Sequence, residues 1–337
     1  MRYYSGFDEA FYYAYRKGRQ AFLRAESIYT PHLSDCASRA ADIAGIDLET
    51  PGILPAPAMG PGCLHPNKDG LPVRHVLVAQ NGNRHDCKGL ARHGWSAPLA
   101  PKSIVRVGPG IYMSTPEFTF LQLANVLPHL PLVLAGFALC SSYYIDPQTR
   151  KVTQRSPISS VAELQTYLNR CRGSRGVKRG RAALRCVTDG AESPQEVNQF
   201  LLMSLPVDMG GHGIEGLEMN YTVRVEDADR GVLDRPDRTS FRIDMGCKEL
   251  KKGAEYLGKD HESTVDEDRE RLNSLMALGH QVLQVKYADL TNPTKCARLA
   301  RQLARLLNIE LPELTPAQEL ARANLADELF GMGRLVL

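Results

Sequence analysis

Two carboxylates lie close together in the stretch FRIDMGCKELKKGAEYLGKDH, residues 241–261. Asp244 falls near the end of one apolar run and Glu255 falls within the next, so both belong to neighbouring predicted strands that a short turn can join. Mg²⁺ binds through one or two such carboxylates together with waters and phosphate oxygens. A metal held in this way can activate water for attack on a phosphodiester. The spacing therefore permits a hydrolytic metal site at Asp244 and Glu255.

Two more residues could assist this chemistry. Glu196 belongs to a predicted helix upstream and could add a third carboxylate through a bridging water. His261 follows the second strand and could act as a general base or stabilise the leaving oxygen. Carboxylates at strand ends are also commonly solvated or paired with lysines, here Lys251, Lys252 or Lys259, so a purely structural role stays open.

Capping residues and hydrophobic patterns after residue 191 predict the helices and strands that carry these residues. Ser193 is a predicted helix cap, Pro194 takes the first helical position, and Glu196 follows three residues after the cap. The pattern then predicts three strands, a helix, a strand and a final helix. Their sequences are EMNYTVRVE, SFRIDMGC and GAEYLG for the strands, STVDEDRERLNSLMALGH for the helix, and QVLQVKY and NPTKCARLARQLARLLN for the last two.

The first half of the chain is predicted to mix helices and strands. Residues 1–26 have helical character, with aromatic side chains roughly on one face. Residues 74–80 read as a strand, and residues 103–114 read as two strands that a Gly-Pro-Gly turn folds into a hairpin. A helix is expected to start at residues 114–116, where a hydroxyl cap precedes proline.

A strongly basic run separates the two halves. It contains seven cations and no acidic residue, and three glycines interrupt part of it. Such a segment could contact nucleic-acid phosphates, or it could be a solvated linker followed by a helix. We place the domain boundary close to residue 188. The cations are Arg170, Arg172, Arg175, Lys178, Arg179, Arg181 and Arg185.

Length and composition limit the possible classes of protein. A chain of 337 residues suits two domains, and its net charge of +3 is too small to indicate a polyanion partner for the whole surface. The eight cysteines are scattered without a CxxC pair, and the N-terminal residues do not resemble a signal peptide, so a reducing cytoplasm is expected. The longest apolar stretch, residues 127–140, is too short to cross a bilayer. We expect His85, Cys87 and His93 to lie in a polar loop rather than to bind zinc.

A set of motifs in the second half resembles one known superfamily. SPQE, LP with GGHG, MNYTV, RIDM and AEYLG occur in that order, followed by His261, Asp268 and Arg271. Across residues 190–308 this combination resembles the endonuclease-like domain of the PD-(D/E)XK superfamily, related to very-short-patch repair endonucleases. The resemblance implies an α/β fold with a restriction-endonuclease-like mixed sheet flanked by helices. A mixed α+β domain would precede it.

The resemblance also implies roles for individual residues, with Mg²⁺ or Mn²⁺ as the cofactor. Asp244 matches the metal-binding aspartate and Glu255 matches the strand glutamate. Arg271, paired with a helical aspartate in the family, would orient the site or contact phosphate. The remaining matches are Glu196 for the glutamate of the first helix, Gly258 for the glycine, His261 for the histidine, and Asp268 for the aspartate of the helical pair.

One position departs from the family pattern. Leu257 stands where the family commonly has aspartate and the wider superfamily often has lysine. Lys259, two positions further, would point to the same face of the sheet and could supply the missing cation. The departure bears directly on whether the site is active.

Two functions remain open from the sequence. The first is a metal-dependent DNA endonuclease in bacterial defence or repair, with the basic run on the DNA backbone. The second, which Leu257 favours, is a catalytically impaired DNA-binding regulator or antitoxin that keeps the fold. Residues 74–124 are similar to the region that precedes this domain in proteins resembling type IV abortive-infection antitoxins. That resemblance implies a cognate toxin or another protein partner, although no helix-turn-helix is evident. The predicted domains are residues 1–188, 189–310 and a helical tail at 311–337.

Overall fold

The structure is a computed structural model that describes residues 2–37, 74–79, 90–146, 149–234, 236–258 and 265–331. The chain divides between Asp189 and Gly190 into two compact units. Both units combine helices with a mixed sheet, so the predicted α/β class is confirmed. No helix in the described part of the chain is long and apolar enough to cross a membrane.

The first unit is organised around a six-stranded mixed sheet. Strand order is β2-β5-β6-β1-β3-β4, in which β1 runs parallel to β6 and antiparallel to β3. The predicted hairpin is confirmed, because β5 and β6 pair antiparallel. The elements of this unit are β1 Tyr3–Ser5, α1 Phe7–Lys17, α2 Arg19–Arg24, β2 Glu26–Ile28, β3 Arg74–Val78, β4 Leu90–Gly94, β5 Ile104–Gly108, β6 Ile111–Ser114, α3 Pro116–Leu123, α4 His129–Cys140, β7 Tyr143–Ile145, β8 Val152–Gln154, α5 Val161–Arg170 and α6 Val177–Leu184.

The N-terminal helical prediction is only partly correct. Residues 3–5 form the central strand β1, and the helix that follows ends at Gly18, whose φ of 71° lies in the left-handed region that favours glycine. His93 lies in β4 rather than in the expected loop, while His85 and Cys87 fall outside the described residues. The start of α3 is as predicted, with Thr115 as its cap residue and Pro116 in the first turn.

The basic run is part of the first unit. Its second half forms α6, and that helix buries Val177, Gly180 and Leu184. Helix α6 packs against α4 and α5, so the apolar positions of this segment are part of the core. The alternative of a linker followed by a helix agrees with α6 at Val177–Leu184, and the apolar side of that helix is buried in the core.

The second unit contains a four-stranded sheet in the order β12-β11-β10-β9. Strands β9, β10 and β11 are antiparallel neighbours, and β12 returns parallel to β11 after a helical crossover. The elements are α7 Pro194–Ser204, a 3₁₀ helix at Val207–Met209, β9 Glu218–Arg224, a 3₁₀ helix at Asp227–Val232, β10 Ser240–Cys247, β11 Lys252–Leu257, α8 Val265–Ala277, β12 Gln281–Lys286, α9 Tyr287–Thr291, α10 Pro293–Leu307 and α11 Pro316–Gly331.

Helices cover this sheet and complete its core. Helix α8 places Leu275 in a cluster with Phe241 and Ile243, while α7 contacts β10 and β11 and α10 contacts β11. The C-terminal segment, predicted as a helical tail, forms a helix over Pro316–Gly331 that packs on this unit. Leu325 and Leu329 of α11 are buried, and the helix contacts the 3₁₀ helix after α7.

Candidate carboxylate site

Asp244 lies where the pairing between β10 and β11 ends. The last paired residues of that ladder are Met245 and Ala254, and beyond them the backbone N–H of Tyr256 donates to Asp244 Oδ2 at 2.8 Å. The aspartate side chain therefore takes the place of a backbone acceptor. Gly253 permits the close approach of the two strands, because a Cβ there would lie 2.6 Å from the carbonyl oxygen of Met245.

The electrostatic environment of Asp244 opposes its ionisation. Burial is the largest cause, and the negative charges of Glu196 and Glu255 add to it, so the pKa of Asp244 rises to about 7. The Tyr256 N–H and the Arg271 guanidinium act in the opposite direction without cancelling the rise. A partly buried carboxylate whose pKa is raised by two neighbouring carboxylates is a candidate for a functional site.

Glu196 is fixed by the start of α7. Ser193 Oγ accepts a hydrogen bond from the Glu196 N–H at 3.2 Å, as expected of a helix cap. The Glu196 carboxylate reaches back to the N–H of Glu192 at 2.9 Å, one residue before the cap. Its Oε2 also accepts from Asn220 Nδ2 at 2.7 Å. Burial raises the pKa of Glu196, and the charge of Glu192 adds to the rise.

Asn220 was not singled out by sequence reasoning. It lies in β9 with a φ of 49°, and its Nδ2 bonds Gly190 O at 2.8 Å as well as Glu196. Asparagine is one of the few residues that adopts this left-handed conformation without large cost. A polar residue inside the motif MNYTV, flanked by apolar positions, was the available signal.

Glu255 is buried and paired with Arg271. The guanidinium donates from Nη2 to Oε1 at 2.6 Å and from Nε to Oε2 at 3.3 Å. The same Nη2 also donates to the carbonyl oxygen of Arg242. Arg271 therefore links α8 to β10 and β11 in addition to any contact with Asp268. A two-point guanidinium contact of this kind neutralises the Glu255 charge inside the unit.

The structure brings some of the predicted site residues together and leaves others apart. Asp244 and Glu255 lie on adjacent strands, as predicted, and Glu196 is close enough to Asp244 to raise its pKa. Within the described ranges, however, no group of three or more Asp, Glu, His or Cys side chains has the arrangement of a metal site. His261 and Lys259 lie outside the described residues.

The donor chemistry of Asp244 and Glu255 fits a hard cation, since both offer carboxylate oxygens and Mg²⁺ needs only one or two of them. Desolvation is the largest cause of the raised pKa of Asp244, and the charges of Glu196 and Glu255 add to it. The Glu255 carboxylate is already shared with Arg271, so Asp244 is the principal ligand available. These residues therefore fit a Mg²⁺ ion held mostly by water and phosphate oxygens.

The basic run in the first unit divides into two kinds of residue. Arg179 donates to the carbonyl oxygen of Leu127, and Arg181 donates to Asn169 Oδ1 at 2.9 Å, so both stabilise the fold. The other five side chains are exposed and form no ion pair with a described carboxylate. They are Arg170, Arg172, Arg175, Lys178 and Arg185.

A second basic surface lies on α10 and was missed from the sequence. The helix buries one apolar face, and its opposite side exposes cations at spacings of three or four residues. This stripe belongs to the same unit as the carboxylates. We define the α10 stripe as Lys295, Arg298, Arg301 and Arg305.

Comparison with family models, with curated proteins and with solved structures finds no match to this chain. The relationship to the PD-(D/E)XK superfamily therefore stays an interpretation of the motifs and their spacing.

Proposed function

We propose that the second unit is a metal-dependent endonuclease that hydrolyses DNA phosphodiester bonds. The observation that carries this proposal is the partly buried Asp244 carboxylate, whose pKa the charges of Glu196 and Glu255 help to raise. Holding like charges together in a buried place costs free energy unless a proton or a cation neutralises them. A divalent cation held by these carboxylates would supply that neutralisation.

The residues divide into ligands and positioning groups. Asp244 and Glu255 would hold Mg²⁺ or Mn²⁺, which supplies an activated water and stabilises charge on the phosphate. Glu196 adds negative charge beside Asp244 and is itself oriented by Asn220. Arg271 orients Glu255 through its two hydrogen bonds. His261 as general base and Lys259 as cation complete the proposed set on the basis of the motifs.

Exposed cations support the proposed substrate, and free cysteines support the proposed compartment. DNA is the proposed substrate because exposed cations without described acidic partners occur in both units, on the basic run and on the α10 stripe. The six described cysteines are free thiols, which supports a reducing compartment such as the cytoplasm. A role in bacterial defence or repair, with a toxin or other protein partner, is part of the same proposal.

A second function is favoured by a different observation. Arg271 already neutralises Glu255, and Leu257 leaves the end of β11 without a cationic side chain. A chain that keeps the fold and has lost the chemistry would bind DNA without cutting it. This alternative is a regulator or antitoxin with an inactive carboxylate site.

A plasmid-nicking assay separates the two. The full chain is incubated with supercoiled plasmid and Mg²⁺ or Mn²⁺, beside Asp244→Ala and a control, Asp266→Ala, whose carboxylate is exposed on α8. The endonuclease predicts nicking by the wild type and by Asp266→Ala but not by Asp244→Ala. Retained DNA binding without nicking would support the alternative. Equal nicking by Asp244→Ala would contradict catalysis at this site.

A further inference from the structure

The first unit contains a cavity of about 330 Å³ that has no role in the proposed hydrolysis. Its walls come from four places in the chain: the start of α1, the end of β4 and the residues after it, the end of α3, and the turn before α6. We call it the aromatic cavity. Its principal lining residues are Phe7, His93, Trp95, Asn125 and Arg175.

Two polar atoms in this lining are buried without a partner in the described part of the chain. They are the Nε1 donor of Trp95 and the Oδ1 acceptor of Asn125. The Asn125 side chain is held in place by its Nδ2, which donates to Leu121 O at 2.9 Å. Buried donors and acceptors are nearly always satisfied in folded proteins, so each such exception needs an explanation. A ligand that offers both an acceptor and a donor would satisfy the two atoms together.

The aromatic wall of the cavity is held in a conformation that the chain alone would disfavour. Phe7 has a φ of 52°, which is unusual for a residue with a large side chain. Its N–H donates to Gln122 Oε1 at 2.8 Å, and Gln122 in turn donates to Ser114 Oγ at 3.0 Å. These buried contacts fix the residue, and backbone strain that is held in this way is concentrated at functional sites.

The same wall is extended by stacked rings. Phe7 stacks on His93 with centroids 3.7 Å apart, and His93 Nε2 lies 3.0 Å from His75 Nδ1. Because His93 also stacks on His75, with centroids 5.1 Å apart, the rings of Phe7, His93 and His75 form a fixed stack. Trp95 adds a third ring to the lining and packs edge-on against Phe118.

Arg175 supplies the positive charge of the cavity. Its side chain is exposed and forms no ion pair with any carboxylate that the structure describes. A planar guanidinium at such a position suits bidentate recognition of phosphate. The neighbouring Arg172 lies in the same turn and is exposed, but it does not line the cavity.

We propose that the aromatic cavity binds a nucleotide, with the planar base against the aromatic wall and the phosphate at Arg175. The base edge offers the donor and the acceptor that Asn125 Oδ1 and Trp95 Nε1 lack. The cavity volume is at the lower end of the range for small-molecule sites, roughly 300 to 1,000 Å³. The bound group is either a free mononucleotide or one nucleotide of a single strand, because both present the same chemistry.

Tryptophan fluorescence can report binding at this cavity, because Trp95 is the only tryptophan in the chain. Its emission is recorded while the full chain is titrated with the four nucleoside 5′-monophosphates, the matching nucleosides, inorganic phosphate and a short single-stranded oligonucleotide. Isothermal calorimetry on the same samples detects binding that leaves the emission unchanged. We expect a saturable response to at least one monophosphate and a weaker response to its nucleoside. A response to the oligonucleotide alone would assign the site to a nucleotide within a strand.

Two variants locate the binding. Arg175→Ala is expected to weaken monophosphate binding about tenfold, as loss of a charge-assisted contact does, while Arg172→Ala leaves it unchanged. Circular dichroism checks that both variants fold. The proposal is overturned by the absence of any response in emission and calorimetry, by equal affinity for inorganic phosphate, or by an Arg175→Ala variant that binds like the wild type.

Discussion

Asp244 and Glu255 lie on neighbouring strands, yet different partners hold their side chains. Asp244 accepts a backbone N–H from β11, and Glu255 accepts two bonds from an arginine on α8. Asp244 can therefore take up a proton or bind a cation, whereas Arg271 already neutralises the charge of Glu255. Because of these different partners, Asp244 is more available than Glu255 to bind a metal.

The Arg271→Ala variant measures how much the ion pair between Arg271 and Glu255 stabilises the fold. Arg271→Ala leaves Glu255 buried without its partner, which is expected to lower the free energy of unfolding by about 3 kcal/mol. The matched control is Arg269→Ala on the same helix, because Arg269 pairs with Asp266 in an exposed position. That variant should change stability by less than about 0.5 kcal/mol. Denaturant unfolding of both variants is the measurement, and equal stability would contradict the role of Arg271.

At the scale of elements, two basic surfaces compete as the site of nucleic-acid contact. The exposed part of the basic run lies on α5, α6 and the turn between them, and the α10 stripe lies in the other unit. Arg179 and Arg181 also bond carbonyl and amide oxygens of their own unit, and Arg179 remains exposed. Local sequence shows only the density of charge, whereas the helices decide which cations face solvent.

Charge-reversal variants test which of the two basic surfaces contacts DNA. The variant with Arg170, Arg172 and Lys178 changed to glutamate is expected to lose DNA affinity and to show a salt dependence reduced by about one unit of slope per lost phosphate contact. The fold should persist, because all three side chains are exposed. Fluorescence anisotropy on a short duplex over a salt series measures both quantities.

The matched variant carries glutamate at three positions of the α10 stripe, Lys295, Arg298 and Arg305, which are also exposed. We expect it to retain most of the wild-type affinity. The opposite result, loss of affinity in this variant with normal binding by the first, would move the contact to the second unit.

At the scale of the whole molecule, the second unit depends on a neutral buried histidine. The ring Nε2 of His212 lies 3.8 Å from Cys296 Sγ. The backbone N–H of His212 donates to the carbonyl oxygen of Leu202 at 2.8 Å. Burial lowers the pKa of His212 to about 3, and the charges of Arg322 and Arg301 contribute. Helices α10 and α11 thus pack around a group that the folded state keeps unprotonated.

This environment predicts acid sensitivity with a definite sign. The unfolded chain takes up a proton at His212 below its ordinary pKa of about 6.5, whereas the folded unit does so only near 3. The stabilisation is therefore complete above pH 6.5 and is lost as the pH falls towards 3, by at most about 1.4 kcal/mol per pH unit. Urea unfolding between pH 4 and pH 7 should give a shallower pH dependence for His212→Asn than for the wild type. Identical slopes would contradict this account.

Local signals in the amino-acid sequence predict many of the helices and strands correctly. Ser193 and Pro194 set the start of α7, and period-two patterns located β10, β11 and the β5–β6 hairpin, because caps and alternation act between residues close together in the chain. The adjacency of Asp244 and Glu255 follows from the same local signals. Residues 3–5 were misassigned, because the pairing of β1 with β6 outweighs the helical character of the surrounding segment.

The contacts between side chains from distant segments could not be predicted from local sequence. The pairing of Arg271 with Glu255, the contact of Asn220 with Glu196 and the docking of α11 depend on packing between distant segments. The aromatic cavity is the strongest example, since Phe7, Trp95 and Arg175 are far apart in the chain. Periodicity and capping carry no information about such contacts, because burial and hydrogen bonding are satisfied only once the sheet and helices have assembled.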